Sequence, residues 1–96
     1  MGSSAPETVD FAVYGPITRA DLPGLCDRVC ALLRENAGSV VFCDVRGVEP
    51  NAVTVDALCR LQLGAGRARC RIRLRNASPE LVALVAFMGL TEVLPE

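Results

Sequence analysis

The spacing of hydrophobic positions switches between two and about 3.6 along this chain, and each switch marks an element. Residues 8–14 alternate, with Val9, Phe11 and Val13 on one side and Gly15-Pro16 closing the run, which predicts a strand. Over 21–35 the apolar residues fall three and four apart (Leu22, Leu25, Cys26, Val29, Leu32, Leu33), the mark of a helix with one buried face. Thr18 or Asp21 suits its cap, Pro23 its first turn, and Asn36-Ala37-Gly38 its stop. Residues 39–45 form an unbroken β-branched and apolar run, which predicts a strand buried on both faces of a sheet. A proline-bearing loop, 48–51, then leads into a second helix over 52–66. Leu58, Leu61 and Ala65 make its inner stripe, Val55 and Cys59 widen it, and Asn51 or Thr54 is the candidate cap. Residues 70–75 alternate again, with Cys70, Ile72 and Leu74 inward and Arg71, Arg73 and Arg75 outward. Ser78 caps a third helix with Pro79 at its first position. Leu81, Leu84, Val85 and Met88 line one face of it, and Gly89 stops it.

The order β-α-β-α-β-α requires crossover connections, and these build a mainly parallel sheet. The expected architecture is therefore α/β, with three or four strands and helices mostly on one face, because the arginine side of the last strand reads as wet. At 96 residues the chain is one domain. We place it at 8–96 and read 1–7 as a flexible tail. The longest apolar stretch near the end, 81–90, falls far short of the roughly 20 residues a membrane span needs. The first residues carry neither the basic nor the apolar segment of a secretory leader. Five cysteines, an odd number without a Cys-x-x-Cys pair, read as reduced packing thiols, so a cytoplasmic protein is expected.

Candidate chemistry is sparse. The chain has no histidine, and all ten basic residues are arginine, which excludes imidazole acid–base work, Schiff-base lysines and a P-loop lysine. No catalytic residue, metal or cofactor is expected, and we read the protein as no enzyme. Asp44, at the end of the middle strand, sits where α/β folds collect ligands, but it also suits hydrogen bonding to nearby amides. Five arginines in nine residues (67, 69, 71, 73, 75) are either an anion site or a solvated face that discourages strand pairing. The formal net charge of -1 and the lack of aromatics near that run favour the solvated face, so nucleic acid is not the expected partner. The junction over 48–56 is the more informative piece. It is expected to expose Pro50, Val53 and Val55 beside Asn51 and Thr54, at a helix start where Asp56 complements the dipole and one phosphate could reverse an affinity.

The run Val40-Val41-Phe42-Cys43-Asp44-Val45-Arg46-Gly47-Val48 resembles the second conserved strand of the STAS family, the anti-sigma-factor antagonist domains. Asn51-Ala52-Val53-Thr54-Val55 followed by Asp56-Ala57-Leu58-Cys59-Arg60 is similar to that family's Asp-Ser-Ser-Gly-Leu motif and the helix after it, once the loop is shortened by one residue. Ile72-Arg73-Leu74, Asn76-Ala77-Ser78-Pro79-Glu80-Leu81 and Met88-Gly89-Leu90 match its last strand and helix, so the resemblance covers about 8–94.

The resemblance implies a STAS-like fold and a bacterial regulatory module that binds a kinase-like anti-sigma factor. It implies docking through the loop and the start of helix 2, with Pro50, Asn51, Val53, Thr54, Val55, Asp56 and Arg60 as the contact set. In the family the second serine of the motif is phosphorylated. Helix register puts Val53 at that position, whereas counting without a gap from Asp44 puts Thr54 there, the candidate acceptor. Asn51 stands for the motif's aspartate and Ala52 for its first serine. The same resemblance admits an alternative, an unphosphorylated assembly subunit of a lipid-transport ABC complex or another signalling complex. A homodimer is compatible with either.

Overall fold

The structure, a computed structural model, describes residues 9–96; the tail expected at 1–7, and Thr8, lie outside the described residues. Strand β1 (Val9–Tyr14) is followed by a 3-10 turn (Arg19–Asp21) and helix α1 (Leu22–Glu35). Strand β2 (Val40–Gly47), helix α2 (Ala52–Arg67), strand β3 (Arg71–Arg75) and helix α3 (Pro79–Phe87) complete the chain. The sheet has the order β1-β2-β3 and both pairings are parallel, so the α/β architecture stands with three strands.

Helix starts follow local chemistry. Thr18 donates both its backbone amide and its hydroxyl to the Asp21 carboxylate, each at 2.9 Å, which fixes the entry to α1. The Ser78 hydroxyl accepts from the Leu81 amide at 3.1 Å, and Pro79 follows it. Helix α2 ends with the Cys70 amide on the Ala65 carbonyl and the Arg69 amide on the Gly66 carbonyl. That closing turn holds Arg69 in the left-handed region at φ 61°, a place glycine usually takes.

Both crossovers step the same way across the sheet. Since such connections are right-handed, α1 and α2 come down on one face and pack on each other. Val13, Val41, Cys43, Val45, Ile72 and Leu74 point into that layer and meet Val29, Leu33, Val55, Leu58 and Leu61. The expectation that 39–45 would be buried on both faces is corrected by this. Val41 and Cys43 are fully buried, but Val40 is 46% exposed, and Phe42 and Asp44 are half-buried on the bare face. Leu81 and Val85 of α3 are buried, Leu84 is half-buried, and Met88, expected inside, is exposed because the helix already ends at Phe87.

The two sheet edges differ. On β3 the outward backbone groups are occupied: the Gln62 side chain accepts from the Ile72 amide and donates to the Ile72 carbonyl, both at 2.8 Å. The same Gln62 amide nitrogen donates to the Val93 carbonyl at 2.8 Å, and the Leu74 amide donates to the Pro95 carbonyl at 2.7 Å. One side chain thus stands in for a fourth strand. Gln62→Ala leaves the amide and carbonyl of Ile72 without their partner, so it should cost about 2 kcal/mol. The check is urea unfolding, where the midpoint should fall with little change in slope.

Candidate functional site

The β2–α2 junction is shaped by its hydrogen bonds. Past Gly47, the Val48 amide reaches back to the Val45 carbonyl at 3.3 Å, and the Asn51 amide bonds the Glu49 carbonyl at 2.9 Å. This turns Glu49 and Pro50 out into solvent. Asn51, in extended conformation, caps α2: its side-chain oxygen accepts from the Thr54 amide at 2.9 Å and its carbonyl accepts from the Val55 amide at 3.1 Å. Of the two candidate caps, Asn51 is the one used.

The helix then distributes its first residues by rotation. Ala52 is exposed and Val53 half-buried, while Thr54 and Val55 are both 0% exposed. Two expectations are corrected here. Val55 belongs to the core and not to a contact patch, and Thr54 does not present its hydroxyl to solvent. The Thr54 Oγ1 is enclosed without a hydrogen-bond partner among the described residues. The signal for this was in the sequence: Thr54, Leu58, Leu61 and Ala65 are spaced four, three and four apart, one helical stripe. Pro50, Asn51, Ala52, Val53, Asp56 and Arg60 remain at or near the surface. Asp56 and Arg60, one turn apart, form an ion pair at 3.1 Å that fixes both side chains on the outer side of the helix. Beside them, Arg19, Leu22, Pro23 and Cys26 form a shallow depression that Arg60 completes. The contact set expected from the sequence thus splits, with Val55 and Thr54 inside and the remainder on one continuous corner.

Asp44 keeps its local role. Its carboxylate accepts from the Arg46 amide at 3.0 Å, from the Arg46 guanidinium at 3.0 Å and from the Asn76 side chain at 3.1 Å. The Arg46 amide first, then the Arg46 guanidinium, hold its carboxyl below the usual value of 3.8.

The arginine run divides. Arg67 and Arg69 sit at the end of α2, and Arg71, Arg73 and Arg75 stand on the bare sheet face. Arg75 reaches across the sheet to Asp10 at 3.3 Å, with its guanidinium 4.1 Å above the Phe42 ring. Arg73 donates to the Glu96 carbonyl. Sequence reasoning missed both Phe42, which the strand register places beside Arg73, and Gln62, whose partners come from across the fold.

All five cysteines are free; Cys43 and Cys70 are buried and the other three half-buried. Burial, then the nearby Asp44 charge, pushes the Cys43 thiol up to about 12, so it stays protonated and unreactive. Among the described residues no three cysteine, aspartate or glutamate side chains come together where they could hold a metal ion. Nor is any described helix long and apolar enough to cross a membrane.

A parallel three-stranded α/β sheet with a capped, partly apolar helix start is what the coordinates define. No protein-family model matches the chain, and no curated protein does.

Two outcomes are expected. Thr54→Val removes an unpartnered buried hydroxyl at nearly constant volume, so it should raise stability by about 1 kcal/mol, read as a higher unfolding midpoint. A fall of that size would mean the hydroxyl has a partner. Asp44, with its folded pKa depressed, stabilises the protein above the ordinary carboxylate value and loses that contribution as pH falls through the folded value. The stability gap between wild type and Asp44→Asn should therefore shrink from about pH 5 toward about pH 2, followed by denaturant titration at each pH.

Proposed function

We propose that this chain is a STAS-like protein-binding module of the bacterial cytoplasm, docking on a kinase-like anti-sigma factor through the β2–α2 loop and the start of α2. The observation that carries the reading is the corner itself. Pro50, Ala52 and Val53 offer apolar surface on a backbone that the Asn51 cap holds in place. The Asp56–Arg60 pair beside it supplies orientation. Small apolar anchors on a preorganised frame lose little entropy on binding. The family resemblance, strongest over 72–90, supports the choice of partner, and the parallel β-α-β-α-β-α order is compatible with it.

The buried Thr54 hydroxyl changes how such a module works. Within 50–56 Thr54 is the only hydroxyl-bearing residue, and it faces the core. Docking is then constitutive, set by concentration and not by phosphorylation at this helix. The same observation favours a second reading, an unphosphorylated assembly subunit of a lipid-transport ABC complex. The two differ in the partner recovered from the native host, an anti-sigma kinase or a transporter ATPase, and mass tells them apart.

Val53→Asp places a charge at the centre of the corner, on a half-buried side chain that also packs against the rim of the core, so its unfolding midpoint is measured alongside its binding. It should weaken binding to the purified anti-sigma factor at least tenfold, about 1.4 kcal/mol, by titration calorimetry. Thr54→Val should bind as wild type, and the wild-type chain should gain no phosphate with that partner and ATP. Undiminished binding by Val53→Asp would remove the corner from the interface.

A further inference from the structure

The unequal treatment of the two sheet edges points to a partner for β1. On β3 the outward-facing amides belong to Ile72 and Leu74, and both are bonded, to Gln62 and to the Pro95 carbonyl. In parallel strands the same alternation turns the amides and carbonyls of Asp10 and Ala12 outward on β1. Among the described residues no segment pairs with that edge. Alongside it, between β1 and α1, runs an open groove of about 610 Å³ lined by Phe11, Val13, Leu25, Val29 and Leu32. Phe11, Leu25 and Leu32 are only half-buried, because nothing described covers them. Natural edge strands are usually blunted by lysine, proline or a covering element. Within Val9–Tyr14 the one charge is Asp10, and no proline interrupts the strand.

We infer that β1 pairs antiparallel with β1 of a second copy of this chain, joining the two sheets edge to edge. The strand is self-complementary about a two-fold axis through Ala12. In that register Ala12 faces its own copy as a hydrogen-bonded pair, which uses the outward amides and carbonyls. Asp10 falls opposite Tyr14, and Phe11 opposite Val13. The side chain at the axis is a methyl group, so the backbones meet without a clash. On the helix side, Phe11 and Val13 of the two copies close over the exposed groove, where burying apolar surface drives association. The two Asp10 carboxylates lie about 13 Å apart along the strands, beyond the roughly 8 Å over which salt leaves charges interacting. Each is already paired with its own Arg75. A register centred on Asp10 would instead set the two carboxylates face to face. The inference rests on β1 and not on the docking corner, so either can fail alone.

Sedimentation of the purified chain up to about 1 mM tests it, with two variants at a surface position. Ala12→Pro removes the outward amide at an edge site that tolerates proline. Ala12→Lys sets two like charges against each other at the axis. The wild type should approach twice its 10.2 kDa mass as concentration rises. Both variants should stay at 10.2 kDa with unchanged far-ultraviolet dichroism. Hydrogen exchange at the Asp10 and Ala12 amides of the wild type should slow with concentration, which decides the matter even if a variant fails to fold. A wild type that remains at 10.2 kDa throughout, variants that still pair, or amides that exchange at one rate at every concentration would overturn the inference.

Discussion

The placement of both crossover helices on one face of the sheet is the constraint from which the remaining features follow. With α1 and α2 sharing a side, the inward residues of all three strands form one apolar layer with those helices, and the opposite face is left to water. Arg71, Arg73 and Arg75 stand exposed on that face. Arg75, lying over Phe42 to reach Asp10, shows how such a face is satisfied locally, by a strap across the strands in place of a helix. A three-stranded sheet also has two edges close to its core, and the molecule closes the β3 edge with a single glutamine and the returning chain. The β1 edge, which no described residue pairs with, and the proposed docking corner fit the economy of a small domain, where few residues are left to cover anything.

That economy also shapes the candidate site. The start of α2 must both anchor the helix in the core and present a surface. It divides the work by rotation: Thr54 and Val55 go inside, Ala52 and Val53 go outside, and Asn51 ties the first turn. A core hydroxyl without a partner among the described residues is a cost, which makes Thr54 the least well-fitted residue of the α2 start.

Features governed by local chemistry were legible in the sequence. The alternation of 70–75, the Ser78 cap with Pro79 after it, and the Gly89 stop each depend on residues within a few positions of one another. The parallel order was legible too, because alternating strands and helices leave little choice of topology. What was misread depends on the other side of the fold. Residues 39–45 look the same whether one or both faces are covered, since Val40 and Phe42 are apolar without being enclosed. Val55 belongs both to the inner stripe of α2 and to the expected contact set, and the stripe decides its place; Thr54 lies on the same stripe, which begins inside the loop and outweighs the loop's polar pattern. The Gln62 plug joins positions ten and thirty-one residues apart, and no short-range pattern announces it.

In the proposed function, a preorganised corner recognises a protein while the Thr54 hydroxyl beneath it stays out of reach. The measurement that bears on this is amide chemical-shift mapping of the chain with a purified kinase-like anti-sigma factor, the proposed partner, and ATP. Changes should concentrate at 49–53, Asp56 and Arg60, with the Thr54 resonance keeping its unphosphorylated position. Changes centred instead on the arginine face of the sheet, or the appearance of phosphothreonine at 54, would contradict it.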